Sequence, residues 1–156
     1  MGVGTSGVCT SFKQELLVGT HNFTNGADAF KIALYTNSST ISVASTVYVT
    51  SGETTNDAGT AYTAGGNTLV NVTPTTSGTT AYCDFSDTSW STASFTAYGA
   101  LIYNSSDSNK AVCVLNFGGD KTSSAGTFTI QFPADDASNA ILRLEPPKDY
   151  YGISLK

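Results

Sequence analysis

The residues that could carry out acid–base or nucleophilic chemistry are few and have no partner at a useful spacing. His21 is the single histidine, and a Ser–His–Asp or Cys–His arrangement would require it. Asp28 is near it in sequence, but no serine lies in a GxSxG elbow or a similar signature. The pattern favours a role for His21 in capping or turn polarity, and it predicts that the chain is not an enzyme.

Carboxylates and glycine pairs also fail to form a recognisable site. Three pairs of carboxylates are close in sequence: Glu53 with Asp57, Asp84 with Asp87, and Asp135 with Asp136. A glycosidase needs two carboxylates across a cleft, which a sequence neither excludes nor favours, and the EF-hand calcium pattern is absent. Gly65–Gly66 and Gly118–Gly119 lack the spacing of phosphate loops and predict turns. We therefore expect no metal and no cofactor.

The three cysteines indicate a reducing compartment. Cys9, Cys83 and Cys113 are odd in number, far apart and without CxxC spacing. Cys83 and Cys113 lie in strand-like runs, where free cysteine behaves as a small buried hydrophobe. We expect free core thiols, with a Cys83–Cys113 disulfide as the alternative. Synthesis in a reducing cytoplasm follows from free thiols.

Composition excludes two classes of partner. The net charge is −5, and the seven basic residues are scattered along 156 residues. Nucleic-acid binding needs a concentrated basic surface, so it is not expected. There is no apolar run long enough to cross a membrane and no pattern typical of an export signal, so we expect no membrane association.

The spacing of apolar residues predicts an all-β fold. The 24 Thr and 19 Ser accompany short β-branched and aromatic runs, separated by Gly, Pro, Ser and Asp. We expect a single-domain, jelly-roll-like sandwich of about eight antiparallel strands. A turn is expected at 75–78, and Gly99 is expected to mark a bulge or a bend with positive φ. The strands are expected at 29–36, near the end of 41–50, and at 68–73, 79–85, 94–103, 110–117, 127–132 and 140–145.

The two ends of the chain differ from this pattern. Residues 1–8 are small and predict a flexible arm unless they dock. A short helix is expected at 9–18, with Phe12, Leu16 and Leu17 on its apolar face, Thr10 or Ser11 as its cap and Gly19 at its end. The domain then covers 9–145. Residues 146–156 predict an extended C-terminal tail, which packs back on the domain or reaches a neighbouring subunit.

Several segments together resemble a family of small tailed-phage virion structural proteins. The resemblance covers roughly residues 11 to 145, and its most specific pieces are YTAGG, DFSDTSW and ALIYN. The other segments that carry it are SFKQELL, HNF, DAFKIALYT, TTAYC and FGGDKTSSAGTFTIQFP. The MGVGTSG leader and the PPKDYYGISLK tail depart from the family pattern.

The resemblance implies a virion component without catalytic activity, made in the host cytoplasm and placed on the capsid surface. It implies a decoration or cement protein that binds the major capsid protein as a homotrimer. The alternatives are a tail, neck or fibre component that contacts the host, and a carbohydrate-binding or hydrolytic sandwich outside any virus. Aromatic residues could give the last a sugar platform, although core packing is favoured. The expected interface residues are Phe12, Leu16, Leu17, Tyr150, Tyr151, Ile153 and Leu155.

Overall fold

The structure of the protein, a computed structural model, describes residues 2–55 and 61–146. Within them lie one helix and eight strands, which confirms the all-β prediction. The helix α1 spans Thr10–Leu17. The strands are β1 Gly7–Val8, β2 Phe30–Tyr35, β3 Asn67–Thr68, β4 Thr75–Ser77, β5 Thr80–Cys83, β6 Thr88–Asn104, β7 Lys110–Ile130 and β8 Leu142–Leu144.

The strands form two antiparallel sheets in a sandwich-like arrangement. The five-stranded sheet has the order β1-β7-β6-β2-β3, and the three-stranded sheet has the order β4-β5-β8. The segment expected as a turn at 75–78 is mostly strand β4, because its exposed threonines pair with β5. Strand β2, which lies between β6 and β3, has nearly all of its side chains buried, so the larger sheet contains much of the core.

The long hairpin of β6 and β7 dominates the larger sheet. Two strands and a glycine-rich loop were expected between residues 110 and 132, but β7 is one continuous strand. Positive φ angles at Gly118 (73°) and Ala125 (49°) absorb the irregularities without ending the ladder. The register shifts between Ala97 and Gly99, where β6 advances by two residues and β7 by five, from Lys121 to Asn116, so the irregularity beside Gly99 lies mainly in β7. The expectation of positive φ there is wrong, since Gly99 is not among the residues with positive φ.

Close approach explains the glycine at position 99. A Cβ atom there would lie 2.5 Å from the backbone oxygen of Leu115 and 2.7 Å from Cγ1 of Val3. The backbone of β7 therefore leaves no room for a side chain. The need for glycine arises from packing across the ladder and not from an unusual backbone conformation.

The expected strand near the end of 41–50 is wrong. This segment makes one isolated bridge, from Val47 to Lys110, and otherwise crosses the sheet as a loop. Its apolar residues make separate contacts and no shared ladder. The ring of Tyr48 stacks on Tyr103 at 4.7 Å, while Val47 and Val49 remain about 40% exposed. Strand-like composition here reflects local contacts and not a ladder.

An aromatic cluster joins the helix to both sheets. Phe23 stacks on Phe30 of β2 at 4.3 Å, and Phe12 of α1 meets Phe23 edge-on at 5.9 Å. Phe85, which follows β5, contacts both Phe23 and Phe30. Aromatic pairs of this geometry add to the burial of apolar area, so the cluster fixes α1 against the sandwich.

The described part of the N-terminal segment packs against the domain. Val3 is buried, and Gly7–Val8 pairs with Cys113 and Val114 of β7. The side-chain amide of Asn116 donates to the carbonyl oxygens of Val3 (2.9 Å) and Gly4 (3.0 Å). The described part of the expected arm is therefore docked on the domain, and its last two residues, Gly7–Val8, form an edge strand of the larger sheet.

Helix α1 begins without the predicted cap. Cys9 occupies the N-cap position and makes no side-chain cap, and the buried Ser11 hydroxyl has no hydrogen-bond partner among the described residues. The predicted end is confirmed: Gly19 has a φ of 75°, and its N–H donates to the carbonyl of Leu16. A helix of eight residues has little stability alone, so packing through the buried Phe12 holds it in place.

Candidate functional site

His21 takes part in a buried polar network that braces the fold. Its Nε2 lies 2.9 Å from the carboxylate of Glu15, and its Nδ1 lies 3.0 Å from the side-chain amide of Asn104. The same amide donates to Asp28 at 2.8 Å. Both ring nitrogens are therefore occupied by residues that are not nucleophiles, and the network joins α1 to the end of β6. The expected role in turn polarity is replaced by a link between elements.

The paired carboxylates serve as backbone acceptors where they are described. Asp84 accepts the N–H groups of Phe85 (2.8 Å) and Ile141 (3.2 Å), and Asp87 accepts that of Phe132 (2.8 Å). Burial raises the pKa of Asp84 above its ordinary value. Asp136 caps its own turn through Ser138 and Asn139. Asp57, the expected partner of Glu53, lies outside the described residues.

Glu53 organises a set of hydrogen bonds that we call the Glu53 cluster, formed with Tyr48, Tyr62, Gly65 and Tyr103. The hydroxyls of Tyr48 and Tyr62 donate to the Glu53 carboxylate at 2.5 and 2.7 Å, and the Gly65 N–H donates at 2.6 Å. The hydroxyl of Tyr103 donates to the Gly65 carbonyl at 2.8 Å.

Burial raises the pKa of each tyrosine in this cluster. The pKa of Tyr103 rises to about 12, and the pKa values of Tyr48 and Tyr62 rise further, with the hydrogen bond to Glu53 adding to the effect of burial. Neutral phenols that donate to a carboxylate hold a loop in place. They are poor acids at neutral pH, so this geometry favours a structural role for the cluster.

The three cysteines are free and buried, as expected. Burial raises the pKa of Cys9 to about 11 and that of Cys83 to about 12, and it also raises the pKa of Cys113. A thiol is nucleophilic only as the thiolate. These side chains are therefore packing residues, and the alternative of a Cys83–Cys113 disulfide is wrong.

An apolar concavity lies between helix α1 and the smaller sheet, and we call it the α1–β8 groove. Its volume is about 540 Å³. One wall comes from α1 and the other from β5 and β8, with Phe12 and Cys83 buried. It is lined by Val8, Phe12, Lys13, Leu16, Leu17, Phe23, Pro74, Ala81, Tyr82, Cys83, Leu142, Arg143 and Leu144.

The rim of this groove is unusually apolar for a surface. Leu17 and Leu144, which line it, are 87% and 61% exposed, and the lining residue Leu16 beside Leu17 is half-buried. Single exposed apolar side chains are ordinary, but a contiguous set around a concavity marks an interaction surface. The groove can therefore accept apolar side chains of another polypeptide segment.

One wall of the groove also offers an open strand edge. In the order β4-β5-β8, strand β8 pairs with β5 on one side and has no strand on the other within the described residues. An extended peptide can add to such an edge, with its alternate side chains entering an adjacent pocket. An open edge beside an apolar pocket is the geometry that this recognition mode requires.

The structure brings the predicted helix residues together at this site. Phe12 is buried at its base, Leu16 is half-buried and Leu17 projects from its rim. The other predicted interface residues, Tyr150, Tyr151, Ile153 and Leu155, lie outside the described residues. The opposite wall was not predicted from the sequence, although Leu142 and Leu144 alternate in the last strand and so share one face.

A second concavity is polar. It measures about 390 Å³ and lies between the Glu53 loop and the β6–β7 hairpin. Hydroxyl groups dominate its lining, which comprises Thr36, Glu53, Thr54, Thr55, Ser94, Phe95, Thr96, Thr122, Ser123 and Ser124. Phe95 is buried, so it offers no exposed ring for stacking on a sugar.

Within residues 2–55 and 61–146, no three His, Cys, Asp or Glu side chains lie together as metal ligands. The single described helix is too short to cross a membrane. Comparison with known proteins finds no family model, no curated protein and no solved structure that matches the chain.

Proposed function

We propose that this protein is a non-enzymatic structural component of a tailed-phage virion, which decorates the outer surface of the assembled head. Its partner is the major capsid protein, and it acts as a homotrimer without cofactor, nucleic acid or membrane. The family resemblance of residues 11 to 145 supports the virion assignment. The α1–β8 groove supports an assembly role.

The single observation that carries the proposal is the exposed apolar rim of that groove, formed by Leu17 and Leu144. Burying such side chains against a partner contributes roughly 25 cal/mol per Å² of apolar area. A protein that binds only the assembled shell stabilises it by mass action. A decoration protein needs an apolar docking surface of this kind and no catalytic group.

The proposed homotrimer is what the family resemblance implies, and it suits the symmetry of a shell. Decoration sites lie where several capsid subunits meet, and a ring of three copies repeats one interface around a three-fold axis. Each copy then presents the same groove in the same orientation. Many weak contacts, repeated over the shell, give firm attachment.

A tail, neck or fibre component is the second candidate, and the polar cleft favours it. The hydroxyls of Thr36, Thr96 and Thr122 lie among its lining residues. Such groups can donate to and accept from a host glycan or protein. In this case the cleft contacts the host surface, and the α1–β8 groove joins the protein to its neighbours in the tail.

The copy number of the chain in purified particles tests the proposal. Gel densitometry against the major shell protein should give about one copy per shell subunit if the whole head is decorated. A ratio of a few per cent would favour the tail, neck or fibre assignment. Absence of the chain from particles would refute both virion assignments.

A further inference from the structure

The α1–β8 groove lies directly beside the point where the C-terminal segment leaves the domain. Strand β8 ends at Leu144, which is itself a rim residue, and the chain continues through Glu145 and Pro146. Residues 147–156 follow in the sequence. The open edge of β8 is therefore close in the chain to the start of this segment.

The sequence of the segment fits the groove. Tyr151, Ile153 and Leu155 alternate with Gly152, Ser154 and Lys156. In an extended chain, alternate residues point to the same side, so the three apolar side chains would share one face. This is the pattern that strand addition beside an apolar pocket requires.

Two prolines at the start of the segment disfavour a tight reversal of the chain onto its own groove. Pro146 and Pro147 are consecutive, and the residue before a proline is disfavoured in the helical region. Glu145 and Pro146 are thus both restricted to extended conformations, which opposes a tight reversal directly after β8. The six residues from 145 to 150 span at most about 20 Å, which is enough to leave the first domain and reach an adjoining one.

We propose that residues 150–155 of one copy add as a strand to the open edge of β8 in a second copy, with Tyr151, Ile153 and Leu155 in its α1–β8 groove. The contact is heterologous, because the tail of one copy meets the groove of the next. Such a contact closes into a ring when the rotation between copies allows it. The proposal rests on the assembly role of the groove and names its occupant as a second copy of this chain.

Complementary full-length variants test this exchange. Leu17→Lys spoils the groove and keeps the tail, while a second chain with Ile153→Lys and Leu155→Lys spoils the tail and keeps the groove. Val70→Lys is the matched control, because Val70 is 57% exposed and does not line the groove. Leu144→Lys is a second groove variant, for use if Leu17→Lys lowers the thermal stability.

Sedimentation velocity gives the result. We expect the wild type and Val70→Lys to be oligomers, each spoiled variant to be a monomer, and an equimolar mixture of the two spoiled variants to form a one-to-one dimer. The dimer forms because one intact tail meets one intact groove. A monomeric wild type, oligomers that survive both kinds of variant, or a mixture that stays monomeric would overturn the proposal.

These outcomes are separate from those of the proposed function. Sedimentation uses the isolated protein, whereas the virion assignment is tested by the copy number in particles. A chain that is absent from particles but forms the mixed dimer would refute the virion assignment and retain the exchange. A chain present in particles with monomeric wild type in solution would refute the exchange alone.

Discussion

The Glu53 cluster and the α1–β8 groove differ in whether their side chains find partners within the chain. At the Glu53 cluster, one carboxylate accepts three hydrogen bonds, and the rings of Tyr48 and Tyr103 stack on each other. At the groove, Leu17 and Leu144 extend into solvent beside an open strand edge. The first region has its partners within the chain, whereas the second lacks them among the described residues.

This contrast separates residues that stabilise the fold from residues available for assembly. A half-buried carboxylate with three donors is costly to remove, because its donors lose their acceptor. An exposed leucine contributes little to folding and gains contacts only when a partner arrives. Substitutions in the two regions should therefore affect different measurements, stability in one case and association in the other.

The largest loss of stability is expected from Glu53→Ala. It leaves the hydroxyls of Tyr48 and Tyr62 and the N–H of Gly65 without their acceptor, and hydrogen bonds to charged groups contribute about 1.5–3 kcal/mol each. Since partial exposure lets water replace some of them, we expect a loss of about 3–5 kcal/mol in the free energy of unfolding, measured by urea denaturation. Glu145→Ala, at an exposed glutamate, is the control. Equal stability of the two variants would remove the contrast.

A smaller loss is expected from Gly99→Ala. The new Cβ would lie 2.5 Å from the carbonyl oxygen of Leu115, so β6 and β7 must separate locally. Overpacking of this kind costs about 1–3 kcal/mol. Gly126→Ala is the matched control, because its Cβ would meet only Ser123 and Ser124, at 3.4 Å and beyond. A wild-type melting temperature for Gly99→Ala would contradict the close approach.

Alkaline pH should lower the stability of the protein through the tyrosines of the Glu53 cluster. The pKa of Tyr103 is raised to about 12 in the folded chain, against about 10 when unfolded. The contribution of the neutral phenol to the free energy of unfolding is therefore fully present below pH 10. It falls as the pH rises towards 12, by about 1.4 kcal/mol per pH unit for each such tyrosine. Thermal unfolding between pH 8 and pH 11 checks the fall, and Tyr103→Phe should reduce its slope. A flat profile would show that these phenols titrate normally.

The strands with the clearest apolar patterns were predictable from the sequence. Phe30–Tyr35, Thr80–Cys83 and Leu142–Leu144 lie inside the segments expected for them. The strand predicted near Val47 was wrong because the apolar residues there make separate contacts. Composition does not distinguish such contacts from a strand ladder. The continuity of β7 was not predicted, because residues of this kind ordinarily end a strand. Here Gly118 and Ala125 adopt positive φ inside one.

The groove was only half predictable for a related reason. Helical spacing identified Phe12, Leu16 and Leu17 as one face, since that information is local. The opposite wall, with Leu142 and Leu144, comes from the far end of the chain and is positioned by its pairing with β5. Long-range pairing of this kind is not encoded in any short window of sequence.

The smallest effect on stability and the largest on assembly are expected from Leu17→Lys. Leu17 is 87% exposed at the end of α1, where a basic residue is compatible with the helix dipole. We expect the free energy of unfolding to change by less than about 0.5 kcal/mol. The most direct test of the assembly claim is the amount of this variant in purified particles, relative to wild type and Val70→Lys. The account predicts that Leu17→Lys folds and is lost from particles while Val70→Lys is retained; incorporation of Leu17→Lys at the wild-type level would contradict it.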